Sequence, residues 1–140
     1  MTLSPNAVPP RASTAYVLVV DDDPDVRALH VALFRRASLE VVEAADGIAA
    51  LQIIQSRLPA VIVTDAQMPE MDGLALTRAV RRDQQARGAL IVMVSSSVGS
   101  ATFDALARDA GCDMVFGKPC SLAVLRAVVS AHMNDGALKS

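Results

Sequence analysis

Short unbroken apolar runs, each closed by a polar residue and followed by a segment of helical periodicity, recur along the chain. The first, Tyr16 to Val20 (YVLVV), stops at Asp21-Asp22-Asp23. A run that is apolar at every position, not at alternate ones, predicts a strand buried on both faces. Asp23 and Pro24 then supply an N-cap and a proline at the first helical position, and Val26, Leu29 and Leu33 recur at helical spacing to about Ala37. Leu39 to Glu43 predicts a second strand. Asp46 caps a helix with Ile48, Leu51, Ile54 and Leu58 on one face, ended by Pro59. A third strand, Ala60 to Thr64 (AVIVT), ends at Asp65 and leads through a loop, Ala66 to Asp72, into a helix from Gly73 to about Arg82. A fourth, Ala89 to Val94 (ALIVMV), ends at Ser95, and the helix from about Ala101 closes on Gly111, a glycine C-cap. Asp113 to Gly117 is a weaker fifth strand running into Lys118-Pro119. Ser121 caps a last helix with Leu122, Leu125, Val128, Val129 and His132 along one side. Strands that alternate with helices in this way predict a doubly wound α/β domain, a parallel sheet covered on both faces by right-handed crossovers.

Composition narrows the picture. A chain of 140 residues has room for one core, assigned here to residues 15–134 with a disordered lead-in over 1–14 and a short tail over 135–140. Apolar residues make up 52% and aromatics 3%, so the core must be built from Val, Leu, Ile, Ala and Met. A net charge of -2 offers no general attraction to nucleic acid or to an anionic membrane. The densest basic pairs, Arg35-Arg36 and Arg81-Arg82, fall at helix C-terminal ends, where the dipole favours them, and read as solvated. Cys112 and Cys120 match no zinc or redox spacing, which suits a reduced cytoplasmic setting. Met1 to Thr14 has three prolines and no signal-peptide pattern, and no apolar run approaches the roughly 18 residues of a membrane span.

Asp21, Asp22, Asp65, Ser95 and Lys118 each follow immediately on a predicted strand. In sheets of this class the ligand crevice lies outside the carboxyl ends of the strands, so residues far apart in sequence converge there. Three carboxylates in one pocket repel, each close pair by about 3 kcal/mol at ~5 Å and an effective dielectric of ~20, and call for a cation. Oxygen donors without His or thiolate favour Mg2+, Mn2+ or Ca2+, and a pocket that handles phosphate and leaves room for water favours Mg2+. Lys118 adds a point charge and Ser95 a hydroxyl, which with the metal suit a transferring phosphoryl group. A carboxylate can itself accept that group, and Asp65, alone at the end of a central strand, is the candidate. Taken singly, each motif has an ordinary explanation: a helix cap at Asp23, a turn at Asp72-Gly73, a polar loop at Ser95 to Ser97, a strand terminator at Lys118-Pro119. Together they would require coincidences at one sheet edge. His30 and His132 read as helix-face residues without a catalytic role.

Beyond this chemistry, the residues resemble a known family, the receiver domain of bacterial response regulators. VLVVDDDPDVR (Val17 to Arg27), VTDAQMPEMDG (Val63 to Gly73), VSS (Val94 to Ser96) and GKPC (Gly117 to Cys120) stand in that family's order and approximate spacing. The resemblance implies strand order 2-1-3-4-5 and a cis peptide between Lys118 and Pro119. It makes Asp65 the phosphoacceptor, Asp22 and Asp65 direct Mg2+ ligands, Asp21 a ligand through water and the Gln67 carbonyl a further ligand. Ser95 would move toward the phosphoryl group and Lys118 would pair with it. The implied donor is a phosphohistidine on a sensor kinase or phosphotransfer protein, and the implied role is a shuttle or a phosphorylation-switched binding module acting on an unknown downstream protein, without separate substrate turnover. Homodimerisation through the last helices is left open. The chain departs from the family's habit at Val115, where Tyr or Phe often serves as a rotameric switch, and at Cys120, where Phe is usual. Phe116 should point to the opposite face of its strand from Val115.

Other classes fit less well. A P-loop would need four residues between Gly111 and Gly117, where there are five, and Ser or Thr where Pro119 stands. A haloacid-dehalogenase-type phosphatase would need a second Asp at Gln67. A flavodoxin-like flavin site would put an anionic cofactor against three aspartates. An adaptor of the same fold that no longer takes phosphate would be expected to lack one of the five residues, and none is missing.

Overall fold

The computed structural model describes residues 15–139, with side chains through Asn134; the lead-in expected over 1–14 lies outside the described residues. Five strands, β1 (Val17–Val20), β2 (Val41–Ala44), β3 (Val61–Asp65), β4 (Leu90–Ser95) and β5 (Met114–Gly117), alternate with five helices. These are α1 (Pro24–Arg36), α2 (Gly47–Ser56), α3 (Gly73–Arg82), α4 (Ala101–Ala110) and α5 (Leu122–Lys139). All four strand pairings are parallel and the order is β2-β1-β3-β4-β5, as the resemblance implied.

Parallel strands with helices on both faces must be apolar on both, and β1 and β3 are buried at every position. Successive side chains alternate between the faces. Leu18, Val20, Ile62 and Ile91 pack with Ala50 and Ile54 of α2 and Leu76 and Val80 of α3. Val17, Val19, Val61, Val63, Val92 and Val94 pack with Val31 and Phe34 of α1 and Leu125, Val129 and Met133 of α5. Each fully buried Val, Leu or Ile contributes about 1.5–3 kcal/mol. The second core also takes Phe116, while Val115 faces the cavity beside α4, so the two neighbours point to opposite faces as expected.

The helices start where their caps are: Asp23, Asp46, Asp72 and Ser100 each accept a backbone N–H of the first turn. Two helix faces differ from the sequence reading. Helical spacing predicts a stripe on α1 at Val26, Leu29 and Leu33, but the helix buries His30, Val31 and Phe34 and leaves Leu29 51% exposed. On α2, Ile48 is exposed and Ala50 is buried, because small Ala50 faces the sheet at close range. Arg81 is also no solvated helix end. Its guanidinium donates to the carbonyls of Gly111, Arg87 and Ala89 and pairs with Asp113 at 2.7 Å, joining α3 to the entry of β5.

Candidate functional site

Strand register carries the acidic residues to one edge. Val20 of β1 pairs with Thr64 of β3, so Asp21 and Asp65 are the next residues on neighbouring strands. Asp65 pairs with Val94, and Ser95 pairs with Gly117, which places Lys118 one step further on the same rim. Asp21, Asp22 and Asp65 each bring a carboxylate oxygen within 4.8 Å of the others. Asp21 and Asp65 are buried and Asp22 is exposed, so the cluster opens to solvent on one side. Lys118 Nζ lies 3.0 Å from Asp65 Oδ1, and the Gln67 backbone N–H faces the same oxygen at 3.4 Å. The Ser95 hydroxyl oxygen accepts the backbone N–H of Ser97 at 2.9 Å, and the Ser95 carbonyl accepts that of Lys118. The Lys118–Pro119 peptide is cis.

Electrostatics follow from this crowding. Burial pushes the Asp21 carboxyl above the usual range, and the charges of Asp65 and Asp22 push the same way, against a hydrogen bond from the Asp23 N–H and the pull of Lys118. Burial disfavours the Lys118 ammonium, yet the hydrogen bond to Asp65 and the charges of Asp65, Asp21 and Asp22 outweigh it and hold its pKa above the ordinary value. One ammonium against three carboxylates leaves the pocket short of positive charge. The cluster consists of oxygen donors alone, with neither His nor Cys, and so fits a hard divalent cation.

Three residues near this rim escaped the sequence reading. Gly73 opens α3 with its N–H on the Ala66 carbonyl at 2.9 Å, and a Cβ there would sit 2.3 Å from the Asp65 carbonyl oxygen. Only a glycine lets α3 begin directly against the backbone at the end of β3; in sequence, Asp72-Gly73 carried only the signal of a turn. Arg27 of α1 donates from one guanidinium nitrogen to the Asp21 carbonyl at 2.9 Å and from Nε to Glu43 at 2.9 Å, a pairing that no periodicity announces. His30, buried at 5% exposure, lines a largely apolar cavity of about 530 Å3 with Leu29, Val94, Lys118, Cys120 and Leu122. Burial and the neighbouring Lys118 lower its pKa, with Asp65 opposing.

Comparison with known proteins adds the context. A sequence model described as the response regulator receiver domain matches residues 17–130. Protein PilG of Pseudomonas aeruginosa is 30% identical over 118 residues, which cover 84% of this chain and 86% of the relative. The transcriptional regulatory protein PrrA of Mycobacterium tuberculosis is 36% identical over 115 residues, 82% of this chain but 48% of PrrA, so the chain spans about half of that relative. The structure of chemotaxis protein CheY4 of Vibrio cholerae superposes with a TM-score of 0.77 at 29% identity, covering 86% of this chain and 98% of CheY4.

Proposed function

This chain belongs to the response regulator receiver family, and from that premise we propose that it accepts a phosphoryl group on Asp65 from a phosphohistidine, with Mg2+ held at Asp21, Asp22, Asp65 and the Gln67 carbonyl. The observation that carries the reading is the placement of Lys118 Nζ 3.0 Å from Asp65 Oδ1 on the rim where three carboxylates gather within 4.8 Å. Bound there, Mg2+ supplies charge neutralisation of the equatorial phosphoryl oxygens. A carboxylate oxygen of Asp65 attacks phosphorus, a P–O bond forms as the P–N bond of the donor breaks, and the imidazole leaves and takes up a proton. Lys118, already paired with Asp65, transfers its contact to the incoming anionic oxygens, which costs little reorganisation. Ser95 then swings toward the phosphoryl group to donate its O–H to a phosphoryl oxygen, and in moving it gives up the Ser97 N–H that its own oxygen accepts, which loosens the turn after β4 and shifts the chain between two loop arrangements.

In this reading the chain works in the cytoplasm as a relay shuttle or a switched binding module, receiving phosphate from a sensor histidine kinase or phosphotransfer protein. None of the described helices is long and apolar enough to cross a membrane. Incubation with acetyl phosphate and Mg2+, read by intact mass, tests the chemistry. The expected result is a metal-dependent gain of one phosphoryl group in the wild type and none in Asp65→Asn. No gain in the wild type, under conditions that label a control receiver, would replace this reading with that of a phosphate-independent adaptor.

A further inference from the structure

We infer that Arg27 is a positioning residue for the metal pocket, setting the direction of the Asp21–Asp22 peptide and so the affinity for Mg2+. The inference rests on the proposed metal-dependent reading of the site. Asp21 is gripped at three points. Its N–H donates to the Ala44 carbonyl of β2 at 3.2 Å, its Oδ1 accepts the Asp23 N–H at 2.9 Å, and its carbonyl accepts Arg27 at 2.9 Å. The third grip is the one made by the side chain of another residue. Because the peptide unit is planar, fixing the Asp21 carbonyl fixes the plane from which the Asp22 side chain departs. Asp22 is exposed, so its carboxylate depends more on the backbone behind it than on burial.

Arg27 is itself held in place. Its Nε pairs with Glu43 near the end of β2, and its backbone N–H closes the first turn of α1 on the Asp23 carbonyl at 2.9 Å. One planar fork thus ties the acidic turn to the neighbouring strand, a geometry that an ammonium on a flexible stem does not reproduce. Groups that orient metal ligands in this way change metal affinity by roughly 10-fold or more when removed.

Charge and geometry predict opposite signs here. A guanidinium near a cation site repels the cation, so if Arg27 acted through its charge, removing it would tighten Mg2+ binding. If it acts by orientation, removing it weakens binding, and Arg27→Lys weakens binding as well although the charge is kept.

The experiment is a Mg2+ titration followed by backbone amide NMR shifts around Asp21, Asp22 and Asp65, at constant ionic strength, for the wild type, Arg27→Met, Arg27→Lys and Glu43→Gln. Thermal unfolding in EDTA is measured alongside. Both Arg27 variants are expected to bind Mg2+ roughly 10-fold more weakly, and acetyl phosphate labelling is expected to recover at saturating Mg2+. Glu43→Gln, which keeps an acceptor for Nε, should lose less. Unchanged or tighter binding in Arg27→Met and Arg27→Lys, even with a lowered Tm, would overturn the inference and leave Arg27 as a structural tie. Should Arg27→Met fail to fold, Arg27→Lys carries the same test. Wild type that does not bind Mg2+ at all removes the metal reading itself, an outcome separate from any change in the ratio between variants.

Discussion

Burial beside a lysine disfavours the charged form of a histidine ring, and His30 illustrates what a single side chain does to the pH response of this fold. Burial and Lys118 hold its pKa below the ordinary 6.5. Between 6.5 and that lower value the unfolded chain carries the proton and the folded chain does not, so stability falls as pH drops through the window. In His30→Leu this component is absent: Tm measured from pH 7.5 to 5 should fall less steeply than in the wild type, and an identical slope would show that His30 is not the group responsible. At this scale the sequence was unevenly legible. Asp21, Asp22, Asp65, Ser95 and Lys118 declared themselves because each is a polar residue ending an apolar run, and the register does bring the three aspartates and Lys118 together. His30 did not, because a stripe drawn through the apolar residues Val26, Leu29 and Leu33 left it off the buried face, whereas the helix turns Val31 and Phe34 inward with it. Gly73 was hidden for another reason: what it permits is an approach by a distant backbone, which no local pattern records.

Strands were easier to read than helix faces, and the difference is physical. A strand sandwiched between two layers is apolar throughout, so β1, β3 and β4 fall within a residue or so of their expected positions. A helix with one buried stripe can be rotated by a residue at small cost in pattern, as α1 shows, whereas on α2 only Ile48 departs, since Ile54 is buried and Leu51 and Leu58 pack against the core. Charged residues at helix ends were the other blind spot. Arg81 looked like a dipole partner and is instead the hub between α3 and β5, with Asp113 also accepting the Ile91 N–H at 2.8 Å. Gly111, with φ of 104° and no Cβ, lets the Arg81 stem pass at close range. Replacing Arg81 by Met keeps the stem and removes every donor. We expect a loss of about 2 kcal/mol in urea unfolding, less than the sum of its bonds because the side chain is partly hydrated. A loss below about 0.5 kcal/mol, the scale of an ordinary surface change, would mean that water replaces these contacts fully.

For the whole molecule, fold class and strand order followed from alternation and resemblance together: alternation gives a parallel sheet, but the order β2-β1-β3-β4-β5 depends on which edge each crossover takes. Because the pocket is assembled from the ends of four strands, an ion bound there would be coupled to global folding. Mg2+ at about 100 times its Kd should raise stability by ~2.7 kcal/mol, visible as a higher Tm on adding the ion and its reversal by EDTA, with a smaller rise in Asp65→Asn. No rise in the wild type would disconnect the acidic cluster from Mg2+. The contact of Gly73 with Asp65 reaches further than the pocket itself. Helix α3 begins hard against the Asp65 backbone and, about 12 Å along its axis, its Arg81 grips the entry to β5, the strand whose exit carries Lys118. Lys118 returns to Asp65, so strut, strand and ion pair close a mechanical loop. A shift of the Asp65 carboxylate therefore has two routes to β5, one through Lys118 at its exit and one through α3 and Arg81 at its entry.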